Sequence, residues 1–119
     1  MTTSTTTLTL ELQTSPDDSR PVFIAGNFND WQAEDARYRM EQTAAGHFRF
    51  RFPAEMELPS PLEYKYLRGN WQEEEAGPFG ESVENRILFR YSGLVKDHVP
   101  AWKRNGVAYK KEFLPRIEV

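Results

Sequence analysis

Cysteine is absent from this 119-residue chain, and histidine occurs only twice, at His47 and His98. From that inventory neither a disulfide framework nor a zinc cluster of the CxxC or HExxH kind can be built. No metal and no cofactor are expected, and the redox compartment stays open. A basic excess is missing too: the formal net charge is -3 and the isoelectric point about 5.4. Without the positive field that drives phosphate binding, nucleic acid is not expected as a partner. No apolar run approaches the roughly 18 residues of a membrane span. The first residues are threonines and a serine without lysine or arginine, so no secretory leader is visible. The expectation is a soluble, cytoplasmic chain that does not engage membranes.

What the chain does have is 39% hydrophobic and 13% aromatic residues, enough for one core at a length where folding buries roughly two-thirds of the unfolded surface. Its hydrophobicity runs with period two. Leu8, Leu10 and Leu12 alternate with Thr9 and Glu11; Phe48, Phe50 and Phe52 with Arg49 and Arg51; Ile87, Phe89 and Tyr91 with Leu88 and Arg90. These are half-buried strands. Residues 21–26 and 62–67, rich in β-branched and aromatic side chains between Pro, Gly and Asn, add two more. Residues 37–43 give a further candidate, joined to the Phe48 strand by a hairpin at Ala44-Ala45-Gly46. The spacing predicts an all-β fold, an antiparallel β-sandwich of immunoglobulin-like type, over residues 1–91. Residues 92–119, with a basic cluster at Lys103, Arg104, Lys110 and Lys111, are expected to be an extension that packs on the sandwich or links to a partner.

Catalytic constellations fail for want of parts. There is no G-x-S-x-G elbow, neither histidine has an evident partner, and the glycine-rich phosphate cradles are missing. Glu73, Glu74, Glu75, Glu81 and Glu84 crowd one segment, but without a cleft such a run reads as a solvated acidic loop and not as a carboxylate pair. No catalytic residue is assigned, and a non-enzymatic chain is expected.

The tryptophans are more informative. Gly26-Asn27-Phe28-Asn29-Asp30-Trp31 follows directly on an apolar strand, so Trp31 sits beyond a strand end among turn formers. Glu63-Tyr64-Lys65-Tyr66-Leu67 leads through Arg68-Gly69-Asn70 to Trp71, and an acidic loop then runs to Asn85. Each ring is either an exposed platform or a lid on the sandwich end. If Leu62, Tyr64 and Tyr66 face the core, Lys65 faces out, as a ligand donor or a solvated charge. Asn85 is a donor or a turn residue. Two flat indoles with lysine and amide groups suit a pyranose, whose C–H face stacks on a ring while its hydroxyls meet polar groups. Burying roughly 100 Å² per ring contributes about 2.5 kcal/mol. After association costs, a dissociation constant on the order of 10 μM to 1 mM is expected.

The G-N-F-N-D-W element, the E-Y-K-Y strand, G-N-W and the asparagine after the acidic loop resemble the starch- and glycogen-binding modules, including the glycogen-binding domain of the AMP-activated protein kinase β subunit. The resemblance covers about 70 residues, from Pro21 to about Tyr91. It implies a non-catalytic module that binds α-glucan (starch, glycogen or maltodextrin), with sugar contacts carried by Trp31, Lys65, Trp71 and Asn85, alone or beside a catalytic partner protein. Arg68-Gly69-Asn70-Trp71 with Glu84-Asn85-Arg86 is also similar to a variant of this domain fused to α/β-hydrolase esterases. That likeness implies the alternative, a structural or protein-interaction accessory domain without sugar binding.

Overall fold

The structure, a computed structural model, describes residues 8–90 and 93–103. Within them the strands are β1 (Leu8–Thr14), β2 (Phe23–Gly26), β3 (Glu41–Ala44), β4 (His47–Arg51), β5 (Leu62–Leu67), β6 (Glu75–Ala76), β7 (Arg86–Leu88), β8 (Gly93–Val99) and β9 (Ala101–Trp102). They form sheets of order β3-β4-β1-β8, β2-β5-β7 and β6-β9. The first two sheets face each other as an all-β sandwich, and Glu74, just before β6, bridges to Leu67 at the end of β5.

The alternation read from the sequence sets which side chains go inside. Leu8, Leu10, Leu12 and Thr14 of β1 are buried, with Thr9 and Glu11 half-buried and Gln13 exposed between them. They meet Leu62, Tyr64 and Tyr66 of β5 in one core that also takes Phe48 and Phe52. Each fully buried side chain of this size contributes about 1.5–3 kcal/mol. The β3–β4 hairpin turns at Gly46, whose φ of +75° a side chain would strain. A Cβ there would also run into the Thr14 carbonyl, a neighbour that the bond from the Thr14 amide to the Gly46 carbonyl holds in place.

Three expectations are corrected. Residues 37–43 are not one strand: Ala36–Tyr38 is a single helical turn capped by the Asp35 carboxylate, and pairing with β4 begins at Glu41. In β7 the phase is inverted. Leu88 packs against the core while Ile87 and Phe89 are exposed, because pairing with β5 sets Ile87 opposite outward-facing Glu63. Tyr91 lies outside the described residues.

Third, the sandwich continues past residue 91. β8 pairs with β1 along its whole length, from Leu8↔Gly93 to Thr14↔Val99, and the pairing is parallel, an exception to the antiparallel expectation. Its inward positions are Val95, Asp97 and Val99, and an aspartate at the central one hid the strand from a hydrophobic reading. The Asp97 Oδ2 accepts hydrogen bonds from the Tyr64 hydroxyl at 2.7 Å and the Tyr66 hydroxyl at 2.8 Å. Burial, reinforced by that carboxylate, pushes both phenols above their ordinary pKa. Trp102 is 7% exposed and its Nε1 donates to Thr14 Oγ1 at 2.9 Å, so this ring is core. Of the basic cluster, Lys103 is described and pairs with Glu74; the other members lie outside the described residues.

Candidate functional site

The loop after β2 is built by the motif residues themselves. Asn27 continues the strand with its side chain: Nδ2 donates to the Pro61 carbonyl at 3.0 Å and Oδ1 accepts from the Glu63 amide at 3.1 Å. Phe28 turns inward, 4.9 Å from the Tyr38 ring and edge-on to Phe52 at 5.2 Å. A Cβ on Gly26 would strike the Glu63 carbonyl and the Phe28 ring, so only glycine fits where the strand gives way to the turn. The Gly26 carbonyl then accepts from the Asn29 amide at 3.1 Å and the Trp31 amide at 2.9 Å. Asp30 and Trp31 are both left-handed, with φ of 56° and 57°. For a side chain as large as tryptophan this is an outlier that costs on the order of 1–3 kcal/mol.

Trp71 opens a short helical turn, Trp71–Glu73, reached through Gly69 at φ +100°. The Arg68 amide donates to the Glu73 carbonyl and the Glu73 amide to the Asn70 carbonyl, both at 3.1 Å. From outside, the Glu73 carboxylate is ion-paired with Arg20, which also pairs with Asp18 at 2.6 Å. Beneath them the Arg68 guanidinium is fully buried, 4.3 Å from the Trp102 ring, with bonds to the Arg20 and Asp18 carbonyls. Among the described residues its Nε has no hydrogen-bond partner, and it lies 3.7 Å from Asp18 Oδ2. Burial pulls the Arg68 pKa down to about 10.

Asp18 is the acid-sensitive member of this strut. The Arg20 hydrogen bond holds its carboxyl at about 2, against an ordinary value of 3.8. A carboxyl depressed in the folded state adds stability above its unfolded pKa and loses it as pH falls through the folded one. The contribution is on the order of 2 kcal/mol. Asp18→Asn is therefore expected to lower the urea midpoint at pH 7, with the gap to the wild type closing between pH 3.8 and pH 2. An unchanged gap across that window would contradict the assignment.

The two loops bring Trp31 and Trp71 together. Their ring centroids are 6.2 Å apart and their planes 44° apart. The Trp71 Nε1 donates to the Trp31 carbonyl at 3.2 Å, which commits the indole N–H to the partner loop. Trp71 is 38% exposed and Trp31 half-buried, so the pair presents ring surface to solvent.

Lys65 does not join them. Lys65 lies on the outer face of β5, as alternation predicts, but it is 7% exposed there, covered by the segment that carries Glu74 and Val83. Its Nζ donates to Glu74 Oε1 at 2.6 Å and to the Val83 carbonyl at 2.7 Å. Asn85 is exposed, one residue before Arg86, which pairs with Tyr64.

Three glutamates of the acidic segment are likewise not free in solvent. Glu73 meets Arg20; Glu74 meets Lys65 and, at 2.9 Å, Lys103; Glu75 meets Arg86 at 2.8 Å. Burial raises the Glu74 pKa, but the bonds from Lys65 and Lys103 more than offset it, and the net shift is downward. Glu75 is 2% exposed and also accepts the Tyr66 amide at 3.1 Å. Arg86 is the residue that sequence reasoning undervalued. It bonds Glu75, approaches Asp97 at 3.3 Å, donates to the His98 carbonyl at 3.0 Å and so ties the three sheets together.

A hollow of about 390 Å³ lies elsewhere, on the outer face of β1, β4 and β8, where His47 and His98 flank Gln13 in register. Stacking on ring faces requires exposed planes and not a cavity, so this hollow does not compete with the tryptophans as a platform. Among the described residues no group of three or more His, Asp or Glu is placed to hold a metal, and no helix is long and apolar enough to cross a membrane.

No family model matches the sequence. Over 96 residues, 75% of its length, the chain is 35% identical to an amylopullulanase of Thermoanaerobacter thermohydrosulfuricus. Over 87 residues, 70% of its length, it is 32% identical to an alpha-amylase of Niallia circulans. In both cases it spans 6% of the relative's length. Among solved structures, the glucoamylase of Hormoconis resinae superposes with a TM-score of 0.54 at 16% identity, over 85% of this chain and 18% of that one. The chain is thus similar in sequence to a small part of an amylopullulanase and of an alpha-amylase, and in fold to a small part of a glucoamylase.

Proposed function

We propose that this chain is a non-catalytic α-glucan-binding module in which sugar rings stack on Trp31 and Trp71. The observation that carries the reading is the meeting of two partly exposed indoles, 6.2 Å apart, from loops that are distant in sequence. Their 44° inclination supports a curved ligand: consecutive glucose rings of an α-1,4 chain are turned relative to one another, whereas a flat β-1,4 ribbon would ask for coplanar platforms. The similarity to parts of enzymes named amylopullulanase and alpha-amylase supports the same substrate class. Asn85, exposed, is available to a hydroxyl. Lys65 acts indirectly, holding Glu74 and the 83 carbonyl that shape the covering segment. The module would carry a catalytic partner to polymer.

The alternative, a protein-interaction domain without sugar affinity, draws on Phe79 and Phe89, exposed at 72% and 73%. Tryptophan fluorescence separates the two. Titration with maltoheptaose is expected to give a saturable change with a dissociation constant on the order of 10 μM to 1 mM, unaltered by added salt because the ligand is neutral. Cellohexaose should give none. No change at about 10 mM maltoheptaose, weaker than the affinity range set by two stacked rings, would leave the interaction reading standing.

A further inference from the structure

We infer that Asn29 is a positioning residue for the indole pair: its buried amide holds the left-handed turn that aims the Trp31 carbonyl at the Trp71 indole N–H. The inference rests on the platform reading above for its meaning, though its geometry is independent of any ligand.

Two consecutive left-handed residues without glycine do not persist unless their surroundings over-determine them. Here the surroundings converge on one side chain. Asn29 is 7% exposed, so it does not touch a ligand. Its Oδ1 accepts the Gly26 amide at 3.0 Å, before the strained pair. Its Nδ2 reaches the Ile24 and Gln32 carbonyls at 3.4 Å each and Asp35 Oδ2 at 3.5 Å. The individual donor contacts are long, but together they tie the strand before Asp30 and Trp31 to the chain after them. The Gln32 carbonyl held by Asn29 is one peptide beyond the Trp31 carbonyl that receives Trp71. Rotation of the backbone at Trp31 toward an ordinary φ would therefore move both acceptors and turn the indole away from its partner.

A residue that merely stabilised the fold would change the melting temperature and leave the native geometry alone. Two inclined indoles at this separation couple excitonically, and the resulting circular dichroism couplet reads their mutual angle with no ligand present. Trp71→Phe supplies the spectrum without the couplet. Asn29→Ala, measured well below its melting temperature, is expected to lose the couplet and to bind maltoheptaose about tenfold more weakly, since the platform is no longer pre-organised. Asn27→Ala removes amide bonds in the same loop that run to the Pro61 carbonyl and the Glu63 amide and do not bridge the strained pair; it is expected to lower the melting temperature and keep the couplet. Where Asn29→Ala does not fold, Asn29→Asp, which retains the acceptor for Gly26 but loses the donors, is scored in the same way. A couplet and affinity that survive in the Asn29 variant, or a wild type without a couplet, overturn the inference. A wild type that shows the couplet but does not bind maltoheptaose defeats the platform reading alone, and the couplet series still decides the role of Asn29.

Discussion

Alanine at Trp31 or at Trp71 is expected to weaken maltoheptaose binding by about 1–3 kcal/mol each, roughly ten- to a hundredfold, as measured by titration calorimetry. The loss is the apolar area that the C–H face of a glucose ring no longer covers. Because the Trp71 indole rests on the Trp31 carbonyl and the two rings lie 6.2 Å apart, the sites share a contact. The double variant should therefore lose less than the sum of the single losses. Trp71 is 38% exposed, and its removal should leave the thermal transition nearly in place. Loss of cooperative unfolding in Trp71→Ala would instead make the ring a lid on the sandwich end.

The second large effect falls on stability. Arg86→Ala removes the cation that faces Glu75, 2% exposed, and Asp97. A buried carboxylate left without its partner costs about 3–5 kcal/mol. For a domain of this size that corresponds to a melting temperature lower by on the order of 10–20 °C in calorimetry. Arg86→Lys should recover only part of it, since a single ammonium cannot reproduce the paired bonds from Nε and Nη2 to the Glu75 carboxylate. A loss below about 1 kcal/mol, the value of an exposed ion pair, would contradict the burial of this network. Binding of maltoheptaose below the transition is expected to persist, because among the described residues Arg86 bonds to Glu75, Asp97 and the His98 carbonyl, outside the tryptophan loops.

These two outcomes mark where the sequence was legible and where it was not. Strands with one apolar face declare themselves: β1 through its leucines, β4 through its phenylalanines and β5 as residues 62–67. The turn chemistry of Gly26-Asn27-Phe28-Asn29 was equally readable, since glycine and asparagine are what a strand-ending turn demands. β8 escaped because its central inward residue is Asp97, and a carboxylate on the core side becomes tolerable only once Tyr64, Tyr66 and Arg86 are seen around it. The burial of Lys65 was hidden for the converse reason. Alternation says which face of a strand a residue occupies, but not that residues 68–85 come back to bury that face and supply Glu74 as a counter-charge. In β7 the apolar run Ile87-Leu88-Phe89 admits either phase, and only the pairing with Glu63 fixes which residue points out. Of the candidate site, the two tryptophans were visible in sequence as residues beyond strand ends. Their mutual angle was not, because it depends on a left-handed φ at Trp31, a residue type that does not announce one.

The most direct measurement is native electrophoresis of the intact protein in gels cast with and without amylopectin, which detects dissociation constants up to the millimolar range expected of two stacked rings. Retardation of the wild type in the amylopectin gel, largely abolished in the variant that replaces both Trp31 and Trp71 with alanine, is the result required by α-glucan binding on the indole pair. Equal mobility of the wild type in both gels, or equal retardation of the wild type and the double variant, would contradict it.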